Sequence, residues 1–249
     1  MPHVFVADLD APALDDVDRH HLERVLRTRP GEEVTVSDGR GGWRRCTFAA
    51  GGGLRPEGPV EHRATPSPPI TIAFALTKGD KPELTVQKLT ELGVDRIIPF
   101  VAFRSVTRWD DERGARHVDR LRKVAREAAM QCRRAHLPAV DDVVDFATVA
   151  ALPGAALADA GGAPPDLGHP VVLVGPEGGW ADEERAGGLP TVSLGEHVLR
   201  SETAAMAAAT LLTALRGARV EHAALLRSPL TARSVGEGPG EPGQKVANR

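Results

Sequence analysis

The pattern of hydrophobic and polar positions divides the chain into two regions, and the first is rich in predicted strands. Residues 4–7, VFVA, alternate as a strand does, and residues 31–48 have the pattern of a strand, an Asp-Gly turn and a second strand. We expect about five short strands here, in a small barrel or sheet. A short helix is predicted at 15–27. Its helical spacing relates Val17, His21, Leu22, Val25 and Leu26.

The second region begins after residues 64–69, ATPSPP, where three prolines interrupt any strand or helix. From residue 70 onward, predicted strands and helices alternate. The predicted elements are strands at 70–76, 96–101, 171–174 and 191–194, and helices at 80–93, 113–135 and 201–217. The run at 70–76 is almost wholly apolar, which is typical of a buried parallel strand. The alternation predicts an α/β domain with a mostly parallel sheet.

Composition narrows the classes of function. Of the 249 residues, 41% are hydrophobic, which is enough for a buried core, and the net charge of −3 excludes a chain that is basic throughout. Any nucleic-acid surface must therefore be local. Cys46 and Cys132 lie far apart and belong to no Cys/His cluster, so we expect no metal site.

Targeting signals and the tail complete this picture. We find no signal sequence and no apolar stretch long enough to span a membrane, so we expect a cytoplasmic protein with no membrane partner. Residues 228–249 are rich in glycine, proline and serine, a composition that does not bury a core. We predict that this tail is disordered.

The segment VGPEGGWADEE at 174–184 directly follows a short apolar run. It matches neither the dinucleotide-binding fingerprint nor the P-loop. Pro176 lacks a backbone N–H, and Glu177 places a negative charge where a phosphate would bind, so a phosphate site is disfavoured. Glycines let a ligand approach the backbone closely, although a plain surface turn has the same composition. A second loop of this kind, at 193–206, favours a ligand, since two loops at the carboxyl ends of strands line one pocket.

These two loops resemble a known superfamily. GPEGG at 175–179 and LGEHVLRSETA at 194–204 are similar to the signature of the SPOUT methyltransferases. More closely, the chain resembles the RsmE-type enzymes, which methylate N3 of a uracil in 16S ribosomal RNA. The resemblance covers about residues 1–217, and it departs at Phe103, where relatives often carry an acidic residue. Further blocks of the family stand in order: HHLERVLR (20–27), DGRGG (38–42), KGDK (78–81), QKLTELGV (87–94), RS (104–105) and EAAMQCRR (127–134).

The resemblance implies a fold class and a mode of action. The fold is α/β: a SPOUT-type trefoil-knotted domain with a mostly parallel sheet at 70–217, preceded by a small PUA-like β-barrel RNA-binding domain at 1–66. The implied methyl donor is S-adenosylmethionine. The implied partners are 16S rRNA, within the small ribosomal subunit, and a second copy of the chain in a homodimer. The knot follows from the resemblance alone, because sequence periodicity does not reveal one.

The resemblance and the chemistry of methyl transfer together suggest the site residues. Uracil N3 is a poor nucleophile while it carries its proton, so the reaction needs a base or groups that stabilise the anion. Arg104 and Arg200 are candidates to stabilise charge on O2 and O4. Glu202 is a candidate general base, with two alternatives: orienting Arg200, or capping the helix together with Ser201. The expected cofactor-binding residues are Val174, Gly175, Pro176, Glu177, Gly178, Gly179, Leu194, Gly195, Val198, Leu199, Arg200 and Thr203.

A local excess of basic residues identifies a candidate RNA surface. Residues 104–134 contain ten basic and five acidic side chains, although the whole chain is acidic. Such a face contacts phosphates and sets affinity more than sequence choice, although a solvated helix face has the same pattern. Aromatic residues make up only 4%, so we expect no platform that stacks several bases. The candidate RNA-binding residues are Arg24, Arg27, Arg29, Arg44, Arg45, Arg116, Arg120 and Lys123.

Rival functions are separated by the same motifs. A tRNA ribose 2′-O-methyltransferase would share the two loops, but it needs no barrel of this type, so the blocks at 20–27 and 38–42 favour the uracil-N3 enzymes. A non-catalytic RNA-binding protein is a second alternative, against which the intact loops at 175–179 and 194–204 weigh. A nucleotide-dependent dehydrogenase is excluded because the fingerprint is missing. We therefore predict methylation of a specific uridine.

Overall fold

The computed structural model describes residues 1–107 and 111–219, and its first part is a four-stranded sheet. The strands are β1 (His3–Phe5), β2 (Glu33–Ser37), β3 (Gly42–Phe48) and β4 (Leu54–His62). β1 runs parallel to β2, and the other pairs are antiparallel. The structure has four strands here, one fewer than predicted, and Pro56, Gly58 and Pro59 lie within a single long strand, β4. β4 lies at the edge of this sheet, where proline is tolerated because no partner needs its missing N–H.

The helix predicted after β1 is irregular. Helix α1 (Asp16–His20) continues into a π-helical turn over His21–Val25. Leu22 is fully buried, whereas Val17 and Leu26 are exposed, so the predicted apolar stripe is not continuous. A π-helical turn is wider than an α-helical one, so Leu26, which follows it, is rotated away from the face that buries Leu22.

The second part of the chain builds a larger sheet. Its strand order is β11-β9-β10-β5-β6-β7, with β8 also pairing with β6. Every strand pair that the described residues form in this sheet is parallel, which confirms the predicted α/β fold. The elements are β5 (Thr71–Ala75), α2 (Lys81–Glu91), β6 (Arg96–Val101), α3 (Asp111–Gln131), β7 (Ala139–Val140), β8 (Val144–Asp145), α4 (Phe146–Ala150), β9 (Ala155–Ala163), β10 (Val171–Val174), α5 (Asp182–Ala186), β11 (Thr191–Val192) and α6 (Ser201–Arg216).

Helices cover both faces of the parallel sheet. On one face, Ile72 and Phe74 of β5 pack with apolar residues of α2, α3 and α6. On the other face, Ala73 packs with Phe100 of β6, with α4 and with Trp180. Because β5 is buried on both faces, its sequence is a continuous apolar run. None of the described helices is long and apolar enough to cross a membrane, and the predicted tail at 228–249 lies outside the described residues.

The two sheets are joined by the segment that follows α3. The hydroxyl of Ser37 and the backbone N–H of Gly41 both donate to the carbonyl of Ala135, at 2.9 and 3.0 Å. From α3 itself, the guanidinium of Arg126 donates two hydrogen bonds to the buried carboxylate of Asp18, at 2.6 and 2.9 Å. Such bidentate, charge-assisted bonds are strong and directional. The N-terminal sheet is therefore fixed against α3 by contacts on several elements.

His3 belongs to the same junction, and it makes stability depend on pH. Its Nε2 donates to the carbonyl of Arg134 at 3.1 Å, and its Nδ1 lies 2.9 Å from the hydroxyl of Thr35. Burial lowers the pKa of His3 from 6.5 to about 4. Below pH 6.5 the unfolded chain therefore binds a proton at His3, whereas the folded chain does not bind it until the pH approaches 4. Stability falls as pH drops through that window, by about 3 kcal/mol in total.

This loss is checked by urea unfolding at pH values from 7 to 4, for the wild-type protein and for His3→Gln. Glutamine keeps a donor for the carbonyl of Arg134 but does not titrate. We expect the free energy of unfolding to fall less steeply in the variant, with the two curves differing most in slope between pH 4 and 6.5. Parallel curves would show that His3 takes no part in the acid response.

A candidate methyl-donor and acceptor site

A cleft opens at the carboxyl ends of β9 and β10, between the two glycine-containing loops. Its volume is about 260 Å³. Carboxyl ends of neighbouring parallel strands are the usual place for a ligand in an open α/β sheet. The lining residues are Ala158, Asp159, Ala160, Val174, Gly175, Pro176, Glu177, Gly179, Trp180, Arg185, Leu194, Gly195, His197, Val198, Leu199, Ser201 and Ala204.

Most of the predicted cofactor-binding residues line this cleft. Gly178, Arg200 and Thr203 do not. The carbonyl of Gly178 accepts a hydrogen bond from Arg104, and Arg200 and Thr203 are exposed at the start of α6. The predicted residues that do line it are Val174, Gly175, Pro176, Glu177, Gly179, Leu194, Gly195, Val198 and Leu199.

Trp180 explains why the first loop carries a glycine at 175. A Cβ on Gly175 would lie only 3.1–3.3 Å from the ring of Trp180. The ring cannot move away easily, because it stacks on Phe100 and its Nε1 donates to the carbonyl of Ala158 at 2.9 Å. Gly179 adopts a φ of +68°, a backbone conformation that residues other than glycine rarely adopt. The loop is thus closely packed on one side and free of side chains on the other.

The two loops are linked directly. The hydroxyl of Ser201, the first residue of α6, donates to the carbonyl of Gly175 at 3.0 Å. This bond spans the end of β10 and the start of α6, and it satisfies a carbonyl that follows the last residue of the strand. The loop at 175–179 and the loop at 194–200 therefore form one unit, as the sequence predicts for a shared pocket.

One wall of the cleft is formed by a strand that the sequence pattern does not indicate. Ala158, Asp159 and Ala160 belong to β9, and Asp159 forms an ion pair with Arg185 of α5. The sequence of this strand, AALADAGGA, contains no β-branched or aromatic residue, so it lacks the composition that indicates a strand. Its position between two predicted elements is the one signal in the chain that a further strand is needed there.

A charged cluster borders the cleft, and Lys81 lies at its centre. The ammonium of Lys81 is 2.6 Å from Oε1 of Glu177 and 3.9 Å from Oε2 of Glu202. Its hydrogen bond with Glu177 raises the pKa of the Lys81 amine and lowers the pKa of the Glu177 carboxyl. The block KGDK draws attention to this lysine, but the sequence suggests no role for it. In the structure it bridges the first loop and the start of α6.

Glu202 is partly buried, and one of its carboxylate oxygens is incompletely satisfied. Its side chain is only 14% exposed, and Oε2 has no hydrogen-bond donor among the described residues. A buried carboxylate oxygen without a donor is costly, so it marks a position where a bound ligand is expected to supply an N–H or O–H. Arg200, two residues earlier, is exposed and makes no side-chain hydrogen bond or ion pair with described residues. Its guanidinium is available to a bound molecule.

Arg104 reaches the same region from the loop after β6. Its Nη1 donates to the carbonyl of Gly178 at 3.2 Å. The loop is held by Glu184 of α5, whose buried carboxylate accepts from the backbone N–H of Phe103 at 3.0 Å and from that of Ala181 at 2.8 Å. The structure therefore brings Arg104 against the first loop, while Arg200 and Glu202 lie at the start of α6.

The candidate RNA-binding residues differ in whether their side chains already contact other groups of the protein. Arg44 is only 12% exposed and donates to the carbonyls of Leu9 and Gly58, so its side chain is already engaged. Arg45 lies 3.4 Å from Glu33, Arg120 lies 3.1 Å from Glu83, and Lys123 lies 4.0 Å from Glu127. The exposed candidates without an ion pair to other described residues are Arg24, Arg27, Arg29 and Arg116.

Both parts of the chain match known protein families. Residues 65–213 match the RNA methyltransferase domain family, and residues 14–53 match the RNA methyltransferase PUA domain. Ribosomal RNA small subunit methyltransferase E of Mycobacterium bovis is 36% identical over 226 residues, which cover 81% of this chain and 86% of that protein. The protein of the same name from Synechocystis is 33% identical over 223 residues, covering 79% of this chain and 70% of its own length.

A solved structure extends the likeness to three dimensions. Ribosomal RNA small subunit methyltransferase E from Neisseria gonorrhoeae, bound to S-adenosylmethionine, superposes with a TM-score of 0.69 at 28% identity. The match covers 84% of this chain and 95% of that one, so it includes both sheets. On sequence, fold and the two-loop cleft together, the chain belongs to the ribosomal RNA small subunit methyltransferase E family.

Proposed function

We propose that this protein transfers a methyl group from S-adenosylmethionine to N3 of a specific uridine in 16S ribosomal RNA. The observation that carries the proposal is the cleft formed by the loops at 175–179 and 194–200, with Glu202 and two arginines beside it. Membership of the methyltransferase E family supports the reaction and the class of RNA. The N3 atom of the base is supported by the resemblance of the motifs and by the chemistry of the side chains.

The cleft suits the proposed methyl donor. Gly175, Gly179 and Gly195 line the cleft without side chains, so an adenine or a ribose can approach the backbone closely there. The lining is mixed, since Val174, Leu194 and Leu199 are apolar. Glu177 lines the cleft with a carboxylate that already pairs with Lys81 through Oε1 and that is suited to a second cation, the ammonium of the donor. When bound, S-adenosylmethionine supplies a methyl group on a positively charged sulfur, and the protein aligns it with the acceptor.

Three side chains have the chemistry that the acceptor base requires. We assign to Glu202 the role of accepting the N3 proton, since its Oε2 is buried beside the cleft and has no donor among the described residues. Arg200 and Arg104 are assigned to O2 and O4, where negative charge develops as the proton leaves. Lys81, whose ammonium lies 3.9 Å from Oε2 of Glu202, places a positive charge beside this carboxylate.

The larger assembly belongs to the same proposal. We propose residues 1–66 as a PUA-like RNA-binding domain and residues 70–217 as the methyltransferase domain, in which the chain is knotted. We further propose a homodimer that acts in the cytoplasm on 16S rRNA within the small ribosomal subunit. The match of residues 14–53 to a PUA family and of residues 65–213 to a methyltransferase family supports the division.

The proposed reaction is tested with purified protein and S-adenosylmethionine labelled in its methyl group. Naked 16S RNA and intact small subunits are offered separately, and the RNA is then digested to nucleosides. We expect labelled 3-methyluridine, with more product from the small subunit. A methyl group on a ribose oxygen would instead support the 2′-O-methyltransferase alternative. Binding of RNA with no labelled product from either substrate would support a non-catalytic RNA-binding protein.

A further inference from the structure

A second and larger cleft lies between the N-terminal sheet and α3, and the methyl-transfer site does not use it. Its volume is about 730 Å³. We call it the α1–α3 cleft. The lining residues that bear on its function are Val17, His21, Leu26, Thr28, Arg126 and Arg133.

The lining combines exposed apolar side chains with a hydroxyl that lacks a partner. Val17 is 67% exposed and Leu26 48%, although their sequence pattern predicts burial in a helix stripe. The hydroxyl of Thr28 is buried and finds no hydrogen-bond partner among the described residues. Apolar side chains exposed together and a buried polar atom without a partner are both costly unless a ligand covers them. His21, half-buried in the wall, adds a flat imidazole.

Three carboxylates and three basic side chains line the cleft, so its charge is balanced. Asp18 forms a salt bridge with Arg126 at 2.6 Å, and Lys123 lies 4.0 Å from Glu127. The exposed guanidinium of Arg133, in the same lining, forms no ion pair within the described part of the chain. Arg133 is therefore the cation of the lining that is free to contact a phosphate.

The backbone holds Arg133 in an unusual conformation. Its φ of +57° lies in the left-handed region, which costs a non-glycine residue about 1 kcal/mol or more. Arg133 follows the end of α3. A glycine at this position would relieve the strain but would lose the guanidinium, so the strain accompanies a charge in the lining of the cleft.

We propose that the α1–α3 cleft binds one unstacked nucleotide of the RNA substrate, separate from the methylated uridine. The base lies against Leu26 and the imidazole of His21 and hydrogen-bonds to Thr28, while its phosphate contacts Arg133. Single bases are commonly recognised in this way, by stacking on histidine or arginine planes and by hydrogen bonds to their edges. RNA as the occupant rests on the proposed function. An acidic peptide is a poorer match, because it would neither stack on the imidazole of His21 nor need the single buried hydroxyl of Thr28.

The proposal is tested by binding of a short single-stranded RNA that carries one 2-aminopurine, to the full-length protein. Arg133→Ala removes the guanidinium but keeps the Cβ, and Leu26→Glu places a negative charge in the cleft. We expect each variant to weaken binding by about tenfold or more. Both should also reduce the change in 2-aminopurine fluorescence. The matched control is Arg55→Ala, which removes an exposed arginine of β4 that neither cleft uses.

Titration with S-adenosylmethionine separates this proposal from the proposed function. Both cleft variants should bind it with wild-type affinity, which shows that they fold. Wild-type affinity for RNA in both variants overturns the α1–α3 cleft as a nucleotide site and leaves it to a polypeptide partner. If the wild-type protein methylates no RNA but these variants still lose RNA binding, the cleft is supported as a nucleotide site and the proposed methyl transfer is rejected.

Discussion

Gly175→Val is expected to abolish measurable binding of S-adenosylmethionine. A Cβ at this position lies 3.1 Å from Trp180, and that ring is held by Phe100 and by the carbonyl of Ala158. Overpacking of this kind costs about 1–3 kcal/mol in a closely packed site. The branched methyl groups also enter the space that the donor needs. We expect the affinity measured by isothermal titration calorimetry to fall at least about 100-fold, which corresponds to roughly 2.7 kcal/mol.

Two variants distinguish crowding from misfolding. Gly175→Ala adds the Cβ alone, so its affinity should lie between those of the wild-type protein and the valine variant. Gly53→Val is the matched control, because a Cβ there is 4.0 Å from its nearest neighbour and lies in the N-terminal sheet region. It should bind the donor normally. If Gly175→Val folds and also binds normally, the loop at 175–179 does not hold the donor.

Glu202→Gln is expected to remove most of the methylation activity while leaving donor binding nearly intact. Glutamine has almost the same shape, but it cannot accept the N3 proton. Loss of a general base lowers the rate about 100- to 10,000-fold. The measurement is single-turnover methylation of 16S RNA, at saturating donor and RNA. Glu196→Gln is the control, because Glu196 is an exposed carboxylate in the same loop that does not line the cleft.

The pH dependence of the same reaction tells a base from a structural residue. If Glu202 only caps α6 or orients Arg200, the glutamine variant should keep the wild-type shape of its rate profile at low pH and lose little rate. If Glu202 is the base, the glutamine variant should lose most of its rate at every pH at which the wild-type protein is active. A residual rate that rises with pH over the whole range would then report the uridine itself losing its proton to water.

The sequence reveals the loops of the site better than its walls. GPEGG and LGEHVLRSETA identify the two loops because glycines followed by a polar helix start are a local signal. It cannot rank the glycines, however. Gly175 is crowded by Trp180, whereas a Cβ on Gly178 would meet Arg104 at an ordinary 3.5 Å. That difference depends on which ring packs under the loop, which is a tertiary contact that local sequence does not encode.

Two other features depend on tertiary structure in the same way. β9 is formed mostly by alanines and glycines, which acquire strand geometry from the neighbours β10 and β11 rather than from their own preferences. Lys81 is identified by its motif, but its role appears only when Glu177 and Glu202, far away in the chain, are brought to it. The predicted apolar stripe of the α1 region is wrong for a different reason. Helical periodicity assumes a regular α-helical turn, and the π-helical turn over His21–Val25 does not have that period.

The junction between the two sheets has a consequence for how RNA is selected. Ser37, Asp18 and His3 are tied to Ala135, Arg126 and Arg134 by bonds that leave little freedom of rotation. If one cleft holds an anchoring nucleotide and the other the acceptor, the span between them is set when the protein folds. The enzyme then selects its target by distance. It accepts a uridine that lies at a fixed distance from a second unpaired nucleotide, and an RNA in which the loop between them is lengthened would not be methylated, even with every other base unchanged.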